Sequence, residues 1–225
     1  MSSHNLPRVP EPELMDLPDE VAVYANADFS AVNQMFVTRL LELAGDLDTA
    51  NAADLGCGPC DITIRAAKAR PGWRFSAVDA SAPMLATASI AIQNADLQAV
   101  IIPIQTDAKG SGLAGESFDI VFSNSLLHHV SSPLQFWSEL KRILKPGGLL
   151  LVRDLFRPEN QARANELVIR HAGNEPTLLQ QEFHRSLLAA YTPQEIELQL
   201  VKAGMAHMSV VLVSDRHVDI FGWNR

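Results

Sequence analysis

Residues 52–61, Ala-Ala-Asp-Leu-Gly-Cys-Gly-Pro-Cys-Asp, can carry either of two chemistries. Cys57-Gly58-Pro59-Cys60 has the C-x-x-C spacing of a dithiol redox site, in which a helix N-terminus lowers one thiol pKa and makes that sulfur nucleophilic. Asp54-x-Gly56-x-Gly58 reads instead as a glycine turn between a strand and a helix. Gly56 and Gly58 can adopt backbone angles closed to other residues, and neither has a Cβ to hold a ligand away. The first N–H groups of the following helix then face an anionic group such as a carboxylate.

The elements around the motif favour the turn. Residues 50–55 suit a short buried strand, and a helix begins near Asp61, whose side chain can cap its first turn. Cys57 then sits inside the turn rather than before a partner groove. The chain also lacks the Trp that precedes the C-x-x-C motif in thioredoxins and is far longer than one such domain. A second strand, Trp73–Asp79, ends in an acid 21 residues after Gly58, placed to accept hydrogen bonds from both hydroxyls of a ribose. A dinucleotide fits less well. The third glycine of G-x-G-x-x-G is replaced by Asp61, and a diphosphate would sit poorly beside Asp54. An ammonium group would be welcome there, which points to S-adenosyl-L-methionine, whose methionine end carries both an ammonium and a carboxylate.

Four further segments follow in order: Asp79-Ala80-Ser81-Ala82-Pro83-Met84-Leu85, Gln105-Thr106-Asp107-Ala108, Phe118–Ser125 and Leu144–Val152. With the glycine turn, they make residues 50–155 resemble the class I S-adenosylmethionine-dependent methyltransferases, most closely the small-molecule group that includes ubiquinone and menaquinone methyltransferases. The resemblance implies an α/β, Rossmann-like three-layer sandwich: a seven-stranded, mostly parallel sheet with an antiparallel C-terminal strand. It also implies that Asp54, Gly56, Cys57, Gly58, Asp79, Ala80, Met84, Asp107, Ala108 and Asn124 line the cofactor site, with Met84 beside the adenine and Asp107 on its amino group. Tyr24, in the arm before the sheet, is expected near the sulfonium by the same likeness. Cys60 stands where the family usually has a third glycine, which implies a tight helix–strand contact.

Length and composition agree with one domain of this kind. A chain of 225 residues buries roughly 70% or more of its unfolded surface. Apolar residues make up 47% and charged residues 20%. Residues 1–49 read as a proline-rich arm followed by a helix over 31–44, 50–155 as the cofactor-binding core, 156–204 as a helical substrate lid broken near 173–176 and at 192–193, and 205–225 as a hairpin. No apolar run approaches a membrane span, and no signal-peptide pattern opens the chain. Two cysteines fit a reducing cytoplasm. Net charge −8, with 18 basic against 26 acidic residues and no Lys/Arg stripe, argues against nucleic acid and for a small-molecule substrate, handled by a monomer or homodimer.

Ligands of open parallel sheets bind beyond the C-terminal strand ends, so the loops there supply the candidate catalytic groups. His128, after the fourth strand, can act as a general base or simply orient its loop. His129 is a candidate for substrate contact or helix capping. Asp154 ends the fifth strand as a substrate-facing candidate. Arg157 can bind an acidic substrate or pair with Asp154. Phe183 and Tyr191 lie in the lid, where aromatics either touch substrate or pack on the core. No carboxylate or thiol stands at metal-ligand spacing from the His pair, so no metal is expected.

Overall fold

The computed structural model describes residues 6–13, 16 and 27–225. The strands are β1 (Ala50–Leu55), β2 (Trp73–Asp79), β3 (Ile101–Gln105), β4 (Phe118–Asn124), β5 (Leu144–Leu155), β6 (Ser209–Leu212) and β7 (His217–Trp223). Between and before them run α1 (Ser30–Ala44), α2 (Asp61–Ala69), α3 (Ala82–Asn94), α4 (Pro133–Ile143), α5 (Gln161–Ala172), α6 (Thr177–Ala189) and α7 (Pro193–Lys202). A 3-10 turn, Leu127–His129, follows β4. The sheet order is β3-β2-β1-β4-β5-β7-β6. β1 to β5 are parallel, and β7 runs antiparallel to both β5 and β6. This is the Rossmann-like sandwich expected from the sequence.

The central strands alternate apolar side chains to two faces, and both faces are covered, as a parallel sheet requires. Leu149 and Leu151 of β5 join one cluster with Phe36 and Leu40 of α1 and with Trp73 and Phe75 of β2. Leu150 and Val152 join the other, with Phe136, Trp137 and Leu140 of α4 and Ile196 of α7. Trp137 is fully buried there and donates through Nε1 to Gln199, a packing role. A third, small cluster of Leu155, Leu167, Leu187 and Ala190 holds α5 and α6 over the end of β5. Among the described residues no helix is long and apolar enough to cross a membrane.

The sheet order reverses at β1, which lies between β2 and β4. The crevice beyond that point is where open α/β sheets take ligands. The helix breaks expected at 173–176 and 192–193 separate α5, α6 and α7, and the last stretch forms the β6–β7 pair. One local expectation fails. Asp61 is the first residue of α2, not its cap, and its carboxylate takes Asn33 Nδ2 at 2.9 Å and Arg65 Nε at 2.7 Å. The preceding position is Cys60, at φ +65°.

Candidate active site

A cavity of about 990 Å³ opens at the switch point. At its inner end the β1–α2 turn is fastened by the N–H groups of Gly56 and Cys57, which donate to Val78 O at 2.8 and 2.9 Å. Both glycines have positive φ, +80° at Gly56 and +51° at Gly58. A Cβ on Gly56 would stand 2.8 Å from Leu126 Cδ2, whereas one on Gly58 would meet nothing within 4 Å and would occupy the open space of the crevice. Gly58 therefore presents bare backbone to a ligand.

Asp79, at the end of β2, is held against this turn. Its carboxylate accepts from Gly58 N at 2.8 Å and from Ser81 N at 2.9 Å. Ser81 in turn caps α3 by accepting from Met84 N. Burial lifts the Asp79 pKa above the usual carboxylate range. An acid fixed in this way, beside an uncovered glycine, fits the hydroxyls of an adenosyl ribose. Gly56, Gly58, Asp79, Ala80 and Met84 line the cavity. Asp107, Ala108 and Asn124 form the next part of its wall, with Asp107 paired to Lys109 Nζ at 3.0 Å.

Two residues of the expected cofactor set lie behind the wall. Asp54 is 3% exposed and accepts from Thr63 Oγ1 at 2.5 Å, and burial pushes its pKa up to about 7. Cys57 contributes its backbone to the turn while its sulfur is buried. Its thiol pKa is pushed well up by hydrogen bonding with Cys60 and by burial. A dithiol exchanger needs the opposite, an exposed thiol of low pKa. Cys60 is fully buried and left-handed, a conformation that costs a non-glycine residue ~1–2 kcal/mol. Tyr24 lies outside the described residues.

The outer end of the cavity is assembled from distant segments. His128 follows β4 on the 3-10 turn, and Asp154 is the penultimate residue of β5, the neighbouring strand. His128 Nδ1 is 2.5 Å from Asp154 Oδ1, and the backbone N–H groups of His128 and Leu155 donate to the same carboxylate at 3.1 and 2.6 Å. Burial opposes charge on His128, but the attraction and hydrogen bond of Asp154, helped by Glu11, prevail and raise its pKa. With Nδ1 held by Asp154, Nε2 is the atom that faces Glu11 and the cavity. His129 also lines the cavity, and its ring lies 4.2 Å from that of His128. Burial and the charge of His128 push it down to about 3.

Three expectations at this end are corrected. Asp154 does not face the cavity and does not pair with Arg157; it stands behind His128. Arg157 is buried away from the cavity wall, donating to Ala190 O at 3.0 Å and to Glu195 at 2.6 Å. Tyr191 is also off the wall: its hydroxyl donates to Val130 O at 2.8 Å, and Arg8 lies 4.1 Å over its ring. Phe183 does line the cavity, partly packed on the Leu155–Leu187 cluster.

Sequence reading expected a proline-rich arm here but missed the charged residues by which residues 6–13 dock. Arg8 donates to Ala189 O and His128 O, at 2.5 and 2.8 Å. Glu11 reaches His128 Nε2 at 3.5 Å, His129 Nδ1 at 3.3 Å and Ser186 Oγ at 3.2 Å. Glu13 accepts from Ser131 N and from Lys109 Nζ, at 2.7 and 2.8 Å. Three charged residues spaced 8, 11 and 13 in a proline-rich segment were the available signal, but nothing local says where they dock.

A family profile described as "Methyltransferase domain" matches residues 53–152. Among curated relatives, a ubiquinone biosynthesis O-methyltransferase from Parvibaculum lavamentivorans is 32% identical over 105 residues, covering 46% of this chain and 40% of the relative. A demethylmenaquinone methyltransferase from Lactobacillus johnsonii is 31% identical over 162 residues, covering 68% and 65%. The chain thus spans about two fifths to two thirds of the length of these relatives. In structure it is similar to a SAM-dependent methyltransferase from Aquifex aeolicus, with TM-score 0.69, 19% identity and 92% and 98% of the two chains covered. It is also similar to phosphoethanolamine N-methyltransferase 2 of Haemonchus contortus in complex with S-adenosyl-L-methionine, with TM-score 0.67, 20% identity and 87% and 43% covered. Residues 53–152 thus match a methyltransferase-domain profile, and the fold around them is one shared with solved S-adenosylmethionine-dependent methyltransferases.

Proposed function

We propose that the protein methylates a small-molecule acceptor bound in the outer half of the cavity, using S-adenosylmethionine bound in the inner half. The observation that carries this reading is continuity: Gly58 and Asp79 share one cavity with Asn124, His128 and His129. When bound, S-adenosylmethionine supplies a methyl group already activated on a sulfonium. The chain's own task is then to bind, align and keep water out, which can account for most of the rate.

The roles divide by position. Asp79 anchors the ribose, the Gly58 backbone admits the methionine end, and Met84 and Asp107 border the base. Asp54 supports the turn from beneath. Ala80, Ala108 and Asn124 complete that wall, and Cys57 gives its backbone only. At the acceptor end, Asp154 fixes the ring of His128 so that Nε2 can take a proton from a hydroxyl or carbon acid. His129 and Phe183 border the acceptor. Arg157 and Tyr191 hold the loops that carry them.

A concave cavity of about 990 Å³ and a net charge of −8 support a small solute rather than nucleic acid, and the reading extends to a cytoplasmic protein with residues 1–225 working as one catalytic unit. The test is to incubate the protein with isotopically labelled S-adenosylmethionine and a metabolite extract. Label should appear in a low-molecular-weight compound and fall sharply with His128→Ala. Label confined to macromolecules, or none at all, overturns the reading.

A further inference from the structure

We propose that Glu11, His128 and His129 hold a divalent transition-metal ion of the zinc class, whose open position takes an oxygen acceptor. The proposal rests on the reading above that the acceptor binds at His128, and it names that acceptor's chemistry.

The geometry comes first. Glu11 Oε1 lies 3.5 Å from His128 Nε2 and 3.3 Å from His129 Nδ1, and the three donor atoms lie within 4.8 Å of one another. Hydrogen bonds of this kind usually close to about 2.7–2.9 Å. Ligand bonds of ~2.0–2.1 Å in a tetrahedron give edges of about 3.4 Å between donors. Two edges of the triad already have the length set by a shared ion.

The surroundings agree. Metal-bound imidazoles usually give their second ring N–H to a carboxylate, which fixes the tautomer and aims the ligating nitrogen. Asp154 does this for His128, and accepts two backbone N–H groups that hold it still. Glu11 and Asp154 together match the charge of a divalent ion. Arg8, whose charge acts on His128, is directed to the carbonyls of His128 and Ala189 and over the ring of Tyr191. Pro12 O, 3.2 Å from His129 Nδ1, is the contact which that nitrogen exchanges for the ion.

Two imidazoles and one carboxylate suit zinc and its neighbours rather than magnesium or calcium. Three protein ligands with one open position is the pattern of catalytic zinc, not structural zinc. The triad residues adjoin the cavity that also holds Asp79 and Asn124, since His128 and His129 line it. A hydroxyl bound at the open position is acidified: its O–H bond breaks, both electrons stay on oxygen, and the proton leaves to solvent. With the ion present, His128 is a ligand and the ion takes over the activation that a free imidazole would perform.

The test uses zinc, with cobalt as its spectroscopic substitute, on the full chain after chelator treatment. After zinc loading and desalting, one ion per chain should remain. Cobalt should give the intense visible bands of a four-coordinate site. Glu11→Gln and His129→Ala should abolish both signals, and Asp154→Asn should raise the zinc dissociation constant by about 10–100-fold. The affinity of Glu11→Gln for S-adenosylmethionine should stay within twofold of the parent, which controls for folding. The proposal is overturned if no zinc is retained, or if Glu11→Gln and His129→Ala retain as much as the parent. Cofactor binding separates the two readings. Zinc retained without affinity for S-adenosylmethionine sinks the methyltransferase assignment and leaves the metal site; cofactor binding without zinc sinks the metal site alone.

Discussion

The two ends of the cavity are built in different ways. The inner end comes from one β1–turn–α2–β2 unit, so that Gly58 and Asp79 meet through short connections. The outer end needs the arm at 6–13, the 3-10 turn after β4, the end of β5 and the helix α6. Nothing but the whole fold brings Glu11 to His128. The contrast teaches that the cofactor end can be shared widely among relatives, because it is local, while the acceptor end can be re-specified by changing distant loops without disturbing the turn.

Mutations can break or sharpen that division. The largest effect is expected at the outer end: His128→Ala should lower kcat by about 10²–10⁴-fold, the usual contribution of a positioned acid–base or activating group. Its affinity for S-adenosylmethionine, measured by calorimetry, should change little. If both parameters fall together, the two ends are not separable. Next comes Asp79→Ala, which should weaken cofactor binding by ~1–3 kcal/mol, the scale of hydrogen bonds to a carboxylate, with no change in the pH dependence of turnover. Calorimetry showing unchanged affinity would remove Asp79 from the site.

Gly56→Ala and Gly58→Ala sharpen the comparison inside the turn. At Gly56 the added methyl strikes Leu126 at a positive φ, so denaturant unfolding should show a loss of ~1–3 kcal/mol. At Gly58 the methyl meets no protein atom, so stability should fall by only ~1 kcal/mol, with the main loss in cofactor affinity. Equal stability losses at the two positions would contradict the geometry.

The remaining test is a pH dependence. Burial raises Asp54 from 3.8 to about 7 in the fold. The unfolded chain therefore releases this proton first, and the group costs stability increasingly as pH rises from about 4 to about 7. Asp54→Asn keeps an acceptor for Thr63 and cannot ionise. Its stability relative to the parent should improve over that window, by at most ~1.4 kcal/mol per unit, and stay level above it. A flat difference from pH 4 to 8 would show that Asp54 ionises normally.

The sequence made the inner end legible because its rules are local. Glycines at fixed offsets, an acid at a strand end and Ser81 before a helix each act within a few residues of one another. Asp61 was misread as the cap because the cap position falls on Cys60, at a left-handed angle, which makes Asp61 the first helical residue, with its carboxylate on Asn33 and Arg65 instead of the backbone. Asp154 and Arg157 were read either as substrate-facing or as a pair because they are close in the chain at a strand end, but they turn apart, one to His128 and the other to Glu195. Glu11 was invisible: its docking depends on Ser186 and the His pair, and no spacing rule connects them.

The arm at 6–13 forms neither helix nor strand, and it is fastened to both banks of the crevice, through Val9 to Leu188 and through Glu13 to Ser131. Holding eight such residues costs ~1–2 kcal/mol of backbone entropy each, set against a handful of contacts with little buried apolar surface. On warming, this strip should peel away well before the sheet melts. Loss of turnover would then precede loss of ellipticity, and heat inactivation would report the detachment of one short ribbon rather than the collapse of the fold.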